Sequence, residues 1–355
     1  MKTSQLVAGI AVLLGCLVLV AGCTLFQTTR AVITVSVEEG IVPLTIAYDG
    51  SESLGGGGIS TYHWSFGTGD EVYQADGTYT YRHAGSFDLT LMVRAENGKT
   101  ATATVHIDVG PAVWVCDENL QQVFKLDIEG NRLATLDVPV TQPRGVTVAE
   151  VAGVDSLFVA CYGGGNQRIL QMDPTSGTVL AEHTAPGGAP LYLSYGEQEL
   201  QRLWHVDGLS RRIYEITPVS WQVMNGFGTN YFRTSGQVGG EVFLQTPMGI
   251  DWTEEAGSSG FIWYLEGETR WLYQFDVDAP INIFEGIQLV AVGDPIEIEP
   301  SVFPVTGMDL YDGWLWVVDR DHHEIAQIDP ATGLPTGVTI SGFPGAAVSG
   351  LEIQH

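Results

Sequence analysis

Basic residues are scarce in this chain. Fifteen Lys and Arg stand against 42 Asp and Glu, a net charge of −27, although charged residues make up only 16% of the 355. A surface this acidic repels polyanions, which excludes nucleic acid and anionic lipid headgroups as partners. It suits cations, basic partners or plain solubility. Cysteine is scarce too, with four in all. The N-terminal apolar run, Leu6 to Val20, is too short and too close to the terminus for a good membrane span. No nucleophile–base motif stands out anywhere. What the chain does have is 44 glycines and many short aromatic-rich stretches. Those suit an all-β protein full of turns.

Residues 1–23 read as a targeting segment and are set apart from the fold. Lys2 supplies a positive start, the apolar run follows, and small residues lead to a cysteine in Val20-Ala-Gly-Cys23. That order resembles the bacterial lipobox. The resemblance implies that Cys23 is lipidated and becomes the mature N-terminus, anchoring the protein to a membrane of the cell envelope. An ordinary secretory signal is the alternative. Thr24, where an Asp would favour the inner membrane, points to the outer one. Residues 24–30 form a polar tether. Cys116 and Cys161 then remain in a potentially oxidising compartment. Two buried free thiols are the favoured reading, a disulfide the alternative.

From 31 to 109 several strands alternate with glycine turns, the pattern of a β-sandwich. They include Ala31-Val-Ile-Thr-Val-Ser-Val37, Ile59-Ser-Thr-Tyr-His-Trp-Ser-Phe66 and Gly85-Ser-Phe-Asp-Leu-Thr-Leu-Met-Val93. Trp64 sits where such a core needs a large anchor. The run Trp64-Ser-Phe-Gly-Thr-Gly69 resembles the Trp-Asp-Phe-Gly-Asp-Gly hallmark of PKD domains, with both aspartates replaced. The resemblance implies an immunoglobulin-like spacer or adhesion module without catalysis. The missing acids weaken any calcium reading.

From 112 to 355 one pattern recurs five times. Its clearest copy is Trp314-Leu-Trp-Val-Val-Asp319 followed by Glu324-Ile-Ala-Gln-Ile-Asp-Pro330. A repeat of about 40–50 residues holding several short strands predicts a β-propeller. A fourth, glycine-containing strand precedes the later copies and belongs at the crowded axis. The first copy lacks it, and Val348-Ser-Gly-Leu-Glu-Ile353 supplies a spare at the other end. The C-terminal strand is therefore expected to close the ring in a blade shared by both ends. Five blades result, with a sixth hidden in 224–245 or 277–303 as the alternative. The repeat resembles NHL-type, glutamine-cyclotransferase-like and virginiamycin-B-lyase-type propellers.

Two regions could carry chemistry. Near the axis, the innermost strands place Thr147, Ser194, Asp251, Asp309 and Glu352 in register. Three carboxylates, Asp251, Asp309 and Glu352, suggest oxygen ligands for Ca²⁺ or Mg²⁺. Alternatively, each bonds a neighbouring backbone amide or faces solvent. The second region is one rim of the disc, where loops gather on a rigid frame. Its candidates are Asp207, Phe227, Tyr231, Arg233, Glu266, Glu268, Arg270, Asp319, Asp321, His322 and His323. The leading expectation is a lipid-anchored binding protein whose rim recognises a protein, glycan or small molecule. A divalent-metal-dependent lyase or lactonase is the alternative. A glutaminyl cyclase, implied only by resemblance, is the third.

Overall fold

The computed structural model describes residues 28–163, 165, 167–196, 201–228, 246–253, 260–283, 286–341 and 347–354. Every regular element among the described residues is a strand, apart from a single short 3-10 turn at Pro300–Val302. It divides into two compact units between Pro111 and Ala112.

The first unit is a two-sheet sandwich. One sheet orders Thr34–Val35, Leu44–Asp49 and Asp76–Tyr81. The other orders Glu39–Ile41, Thr100–Gly110, Gly85–Ala95, Ile59–Ser65 and Glu71–Val72. Alternation decides which residues face inward. Along Gly85–Ala95, Leu89, Leu91, Val93 and Ala95 are buried while Met92 is exposed. Trp64 is fully buried, with its ring 4.8 Å from Tyr48 and its Nε1 donating to the Gln74 carbonyl at 3.0 Å. The indole thus fills the core and still satisfies its one polar group.

The second unit is a five-bladed propeller. Blade 2 runs outward through Pro143–Val151, Val154–Cys161, Arg168–Met172 and Val179–Thr184. Blade 3 uses Pro190–Gly196, Arg202–Asp207, Arg212–Thr217 and Gln222–Gly228. Blade 4 uses Pro247–Thr253, Phe261–Glu266, Trp271–Ile283 and Gly286–Ala291, with Ile296–Glu297 pairing alongside. Blade 5 uses Val305–Tyr311, Trp314–Asp319, Glu324–Ile328 and Pro335–Ser341. Blade 1 is composite. Val348–Gln354 pairs antiparallel with Ala112–Asp117, which continues into Gln122–Leu126 and Arg132–Asp137. The five innermost strands adjoin one another in a closed ring. Segment 277–303 extends blade 4 and founds no sixth blade among the described residues. Residues 229–245 lie outside them.

Each blade is covered on both faces, so its inner strands are buried on both, while outer strands such as Pro335–Ser341 are largely exposed. Every residue of Ala112–Asp117 is buried. Val113, Phe124, Trp316 and Leu351 share one core cluster between blades 1 and 5. The crowding near the axis explains the innermost glycines. A Cβ on Gly307 would stand 2.8 Å from the Gly350 backbone, and one on Gly145 would stand 2.7 Å from the Tyr192 Cα. Blade 3 departs from the pattern. The register that pairs Gly145 with Ala160 and Gly249 with Leu265 pairs Tyr192 with Val206. Tyr192 therefore occupies a glycine position, and its ring joins the aromatic core with Trp204, Tyr264 and Tyr273.

Cys116 and Cys161 are free and buried. Burial pushes the Cys161 thiol up to about 12 and raises Cys116 as well. At the ends of third strands, Asp173 accepts the amides of Thr175 and Ser176 at 2.9 and 2.7 Å. Asp329 accepts that of Ala331 at 2.8 Å. These are Asx turns, a structural use of the acid.

Candidate functional site

The axial positions form a belt of hydrogen bonds from blade to blade. Each innermost strand pairs along one edge only, which leaves amides on its other edge without ladder partners. Ser194 Oγ accepts from the Trp252 amide at 2.9 Å and donates to Asp251 Oδ1 at 2.8 Å. Asp251 Oδ2 and Asp309 Oδ1 both accept from the Leu310 amide, each at 2.9 Å. Asp309 Oδ2 accepts from the Ile353 amide. Each side chain thus reaches the residue one beyond its own counterpart on the next blade.

Asp251 and Asp309 share one amide donor, so their carboxyl groups adjoin. Burial raises both acids, and the charge of Asp309 adds to the rise at Asp251. Two adjoining buried carboxyls cannot both ionise cheaply, so the pair retains a proton well above the ordinary carboxylate range. Glu352 is half-buried, and among the described residues no three His, Cys, Asp or Glu side chains are grouped to hold a metal ion. The expected Ca²⁺ or Mg²⁺ site at Asp251, Asp309 and Glu352 is therefore corrected. Two of the three acids meet, but their oxygens are occupied by Ser194 and backbone amides. Thr147 Oγ1, in the same belt, is buried without a partner.

The rim acids divide into two kinds. Asp207 is fully buried. Its Oδ1 accepts the amides of Leu209 and Ser210, and its Oδ2 those of Gly188 and Ala189. It closes its own hairpin and clasps the strand connection arriving from blade 2. Glu266 is 1% exposed and takes the Thr246 and Thr269 amides. Asp319 is 1% exposed and takes the Asp321 and His322 amides. Asp117 does the same for Asn119 and Leu120. These acids hold the frame, which corrects their place among the recognition residues. Phe227 is corrected likewise. It lies on the outer strand of blade 3, buried against Trp204. Arg270 is committed to Glu297 at 2.6 Å. Glu268, Asp321, His322 and His323 are exposed. His322 Nδ1 lies 2.7 Å from Asp319 Oδ2, and that hydrogen bond, with the carboxylate charge, raises its pKa. Tyr231 and Arg233 lie outside the described residues.

The repeat pattern passed over the residues immediately after the hairpin acids. Glu118 follows Asp117, and Arg320 follows Asp319. Arg144, the residue skipped where the blade 2 register shifts, pairs with Glu118 across the blade boundary at 3.1 Å. The signal was present as a departure from the repeat: charged residues at two recurrent positions, and a tyrosine where glycine belongs.

Residues 33–109 match the PKD domain family. This segment is a PKD domain. A carbohydrate-binding-module structure of the β-sandwich superfamily aligns at 29% identity, covering 23% of this chain and 34% of that one, with a TM-score of 0.23. The chain therefore spans about a third of that protein. The first PKD domain of the Vibrio cholerae metalloprotease PrtV aligns at 30% identity, covering 23% of this chain and 98% of that one, with a TM-score of 0.21. An inactive virginiamycin B lyase from Staphylococcus aureus, solved with quinupristin, aligns at 12% identity over 91% of this chain and 97% of that one, with a TM-score of 0.37. No curated protein matches the chain. The propeller stands on its own strand order and ring closure.

Proposed function

We propose that this chain is an exported, lipid-anchored binding protein of a bacterial cell envelope. In this reading acyl chains on Cys23 hold it to the membrane, the outer rather than the inner, and the PKD domain serves as spacer. The propeller's loop-bearing face is the recognition surface. One observation carries the reading. The buried acids of that face are consumed in fixing its hairpins, and the exposed Glu268, Asp321, His322 and His323 stand on the frame they fix. Rigid loops presenting exposed polar side chains suit recognition.

Palmitate labelling of the full chain tests the anchor. Label that depends on Cys23 supports it, and label retained by Cys23→Ala overturns it. A thermal-shift screen of the full chain against glycans, peptides and small molecules tests the face. A ligand whose shift disappears in a Glu268→Gln/Asp321→Asn variant supports the reading. A metal-dependent turnover of esters or lactones overturns it in favour of an enzyme.

A further inference from the structure

The centre of the loop-bearing face has its own chemistry, and the argument rests on that face being the recognition surface. Two recurrent positions meet there: the residue after each hairpin acid, and the residue skipped where each innermost strand shifts register. In blades 1, 2 and 5 these include Glu118, Arg144 and Arg320. In blades 3 and 4 they are Leu191 with Gly208, and Met248 with Gly267. Those glycines leave room for their neighbours. A Cβ at Gly208 would meet the Leu191 side chain at 2.7 Å, and one at Gly267 the Met248 side chain at 2.7 Å. Leu191 and Met248 thus lie flat over the hairpins and are only half-buried. One side of the mouth is apolar and the other charged.

The charges converge. Burial pushes the Tyr192 phenol up, and the next influences on it are the charges of Arg144, Glu118 and Arg320. Side chains of blades 2, 1 and 5 therefore act on a hydroxyl from blade 3. Their donors are not all engaged. Arg144 spends one nitrogen on Glu118, and its buried Nε donates to nothing. Arg320 is exposed and makes no ion pair among the described residues. Two guanidiniums and one carboxylate act on the hydroxyl, while Asp117 and Asp319 beside them turn to backbone amides of their own hairpins. A polyanion would be repelled by the rest of the surface. A monoanion is repelled less, and the planar guanidinium fork matches a carboxylate.

We propose that this mouth binds a small monocarboxylate with an apolar body, the carboxylate on Arg144 and Arg320 and the apolar part against Leu191 and Met248. Calorimetry on the full chain tests it with hexanoate, hexanamide, acetate and inorganic phosphate. Hexanoate is expected to bind saturably, and hexanamide and acetate at least about tenfold more weakly. Arg144→Gln and Arg320→Gln are each expected to weaken hexanoate at least about tenfold without lowering the melting temperature. Glu118→Gln, which removes the competing carboxylate, is expected to tighten it. That gain is one a merely structural ion pair would not give. Absence of hexanoate binding overturns the proposal, as does equal affinity for the amide, tighter binding of phosphate, or indifference to both arginine variants. If hexanoate fails while a screened ligand still depends on Glu268 and Asp321, this proposal falls and the recognition face stands. If hexanoate binds through the arginines while no screened ligand depends on Glu268 and Asp321, recognition is confined to the mouth.

Discussion

Asp251→Asn should stabilise the propeller at alkaline pH. The pair Asp251 and Asp309 is raised by burial, and at Asp251 also by its partner's charge. Acids raised on folding bind protons more tightly in the native state than in the unfolded chain. Their contribution is complete below the unfolded value and is lost as pH rises through the folded one. Asp309 moves from 3.8 to about 6. At about 1.4 kcal/mol per pH unit, that is about 3 kcal/mol lost between about pH 4 and pH 7. Asparagine at 251 keeps the shape. Its oxygen accepts from Ser194, and its amide donates to Asp309, which becomes an ordinary buried carboxylate with donors. The variant keeps that loss, because burial raises Asp309 in both proteins, but it escapes the corresponding loss at Asp251, which burial and its partner's charge both raise; each 1 kcal/mol so recovered is about 2–4 °C in Tm for a domain of this size. Thermal melts of the full chain and the variant from pH 4.5 to 8.5 are expected to diverge with rising pH, the variant ending higher. Asp321→Asn, which removes one exposed charge, controls for net charge and should follow the parent. Parallel curves, or a variant less stable at pH 8, would refute the shared-proton account.

Three further outcomes follow. Trp64→Ala removes a fully buried ring that also bonds Gln74; it should cost about 3–5 kcal/mol in denaturant unfolding of the PKD domain. Deleting residues 348–355 exposes the edge of Ala112–Asp117 and should abolish the cooperative propeller transition in calorimetry, leaving the PKD transition. Cys116 and Cys161 are buried, with thiols pushed well up; peptide mapping after alkylation should find them unmodified in the native protein and both modified in denaturant.

The architecture was legible because propeller blades repeat. Trp314-Leu-Trp-Val-Val-Asp319 and its four counterparts gave the second strands, and the spare Val348–Ile353 gave the closure. The rim was misread for a physical reason. An Asp at a strand end reads the same whether it faces solvent or turns inward to collect four amides, as Asp207 does. Phe227 looked like part of a recognition loop because glycines flank it, yet it packs inward beside Trp204. The axial acids were placed correctly in register. Their use as acceptors for the next blade's amides depends on inter-blade spacing that no local pattern encodes. Arg144 and Arg320 were invisible as a pair because the fold, not the sequence, brings blades 2 and 5 around one centre.

The blade shared by both ends of the propeller has a temporal consequence. During synthesis, Ala112–Asp117 emerges first of all the propeller strands, and its partner Val348–Gln354 emerges last. Until then Ala112–Asp117 is paired along one edge only and the circle is open. The ring therefore closes only after its last strand has been made, and until then the open circle is a task for holdase chaperones.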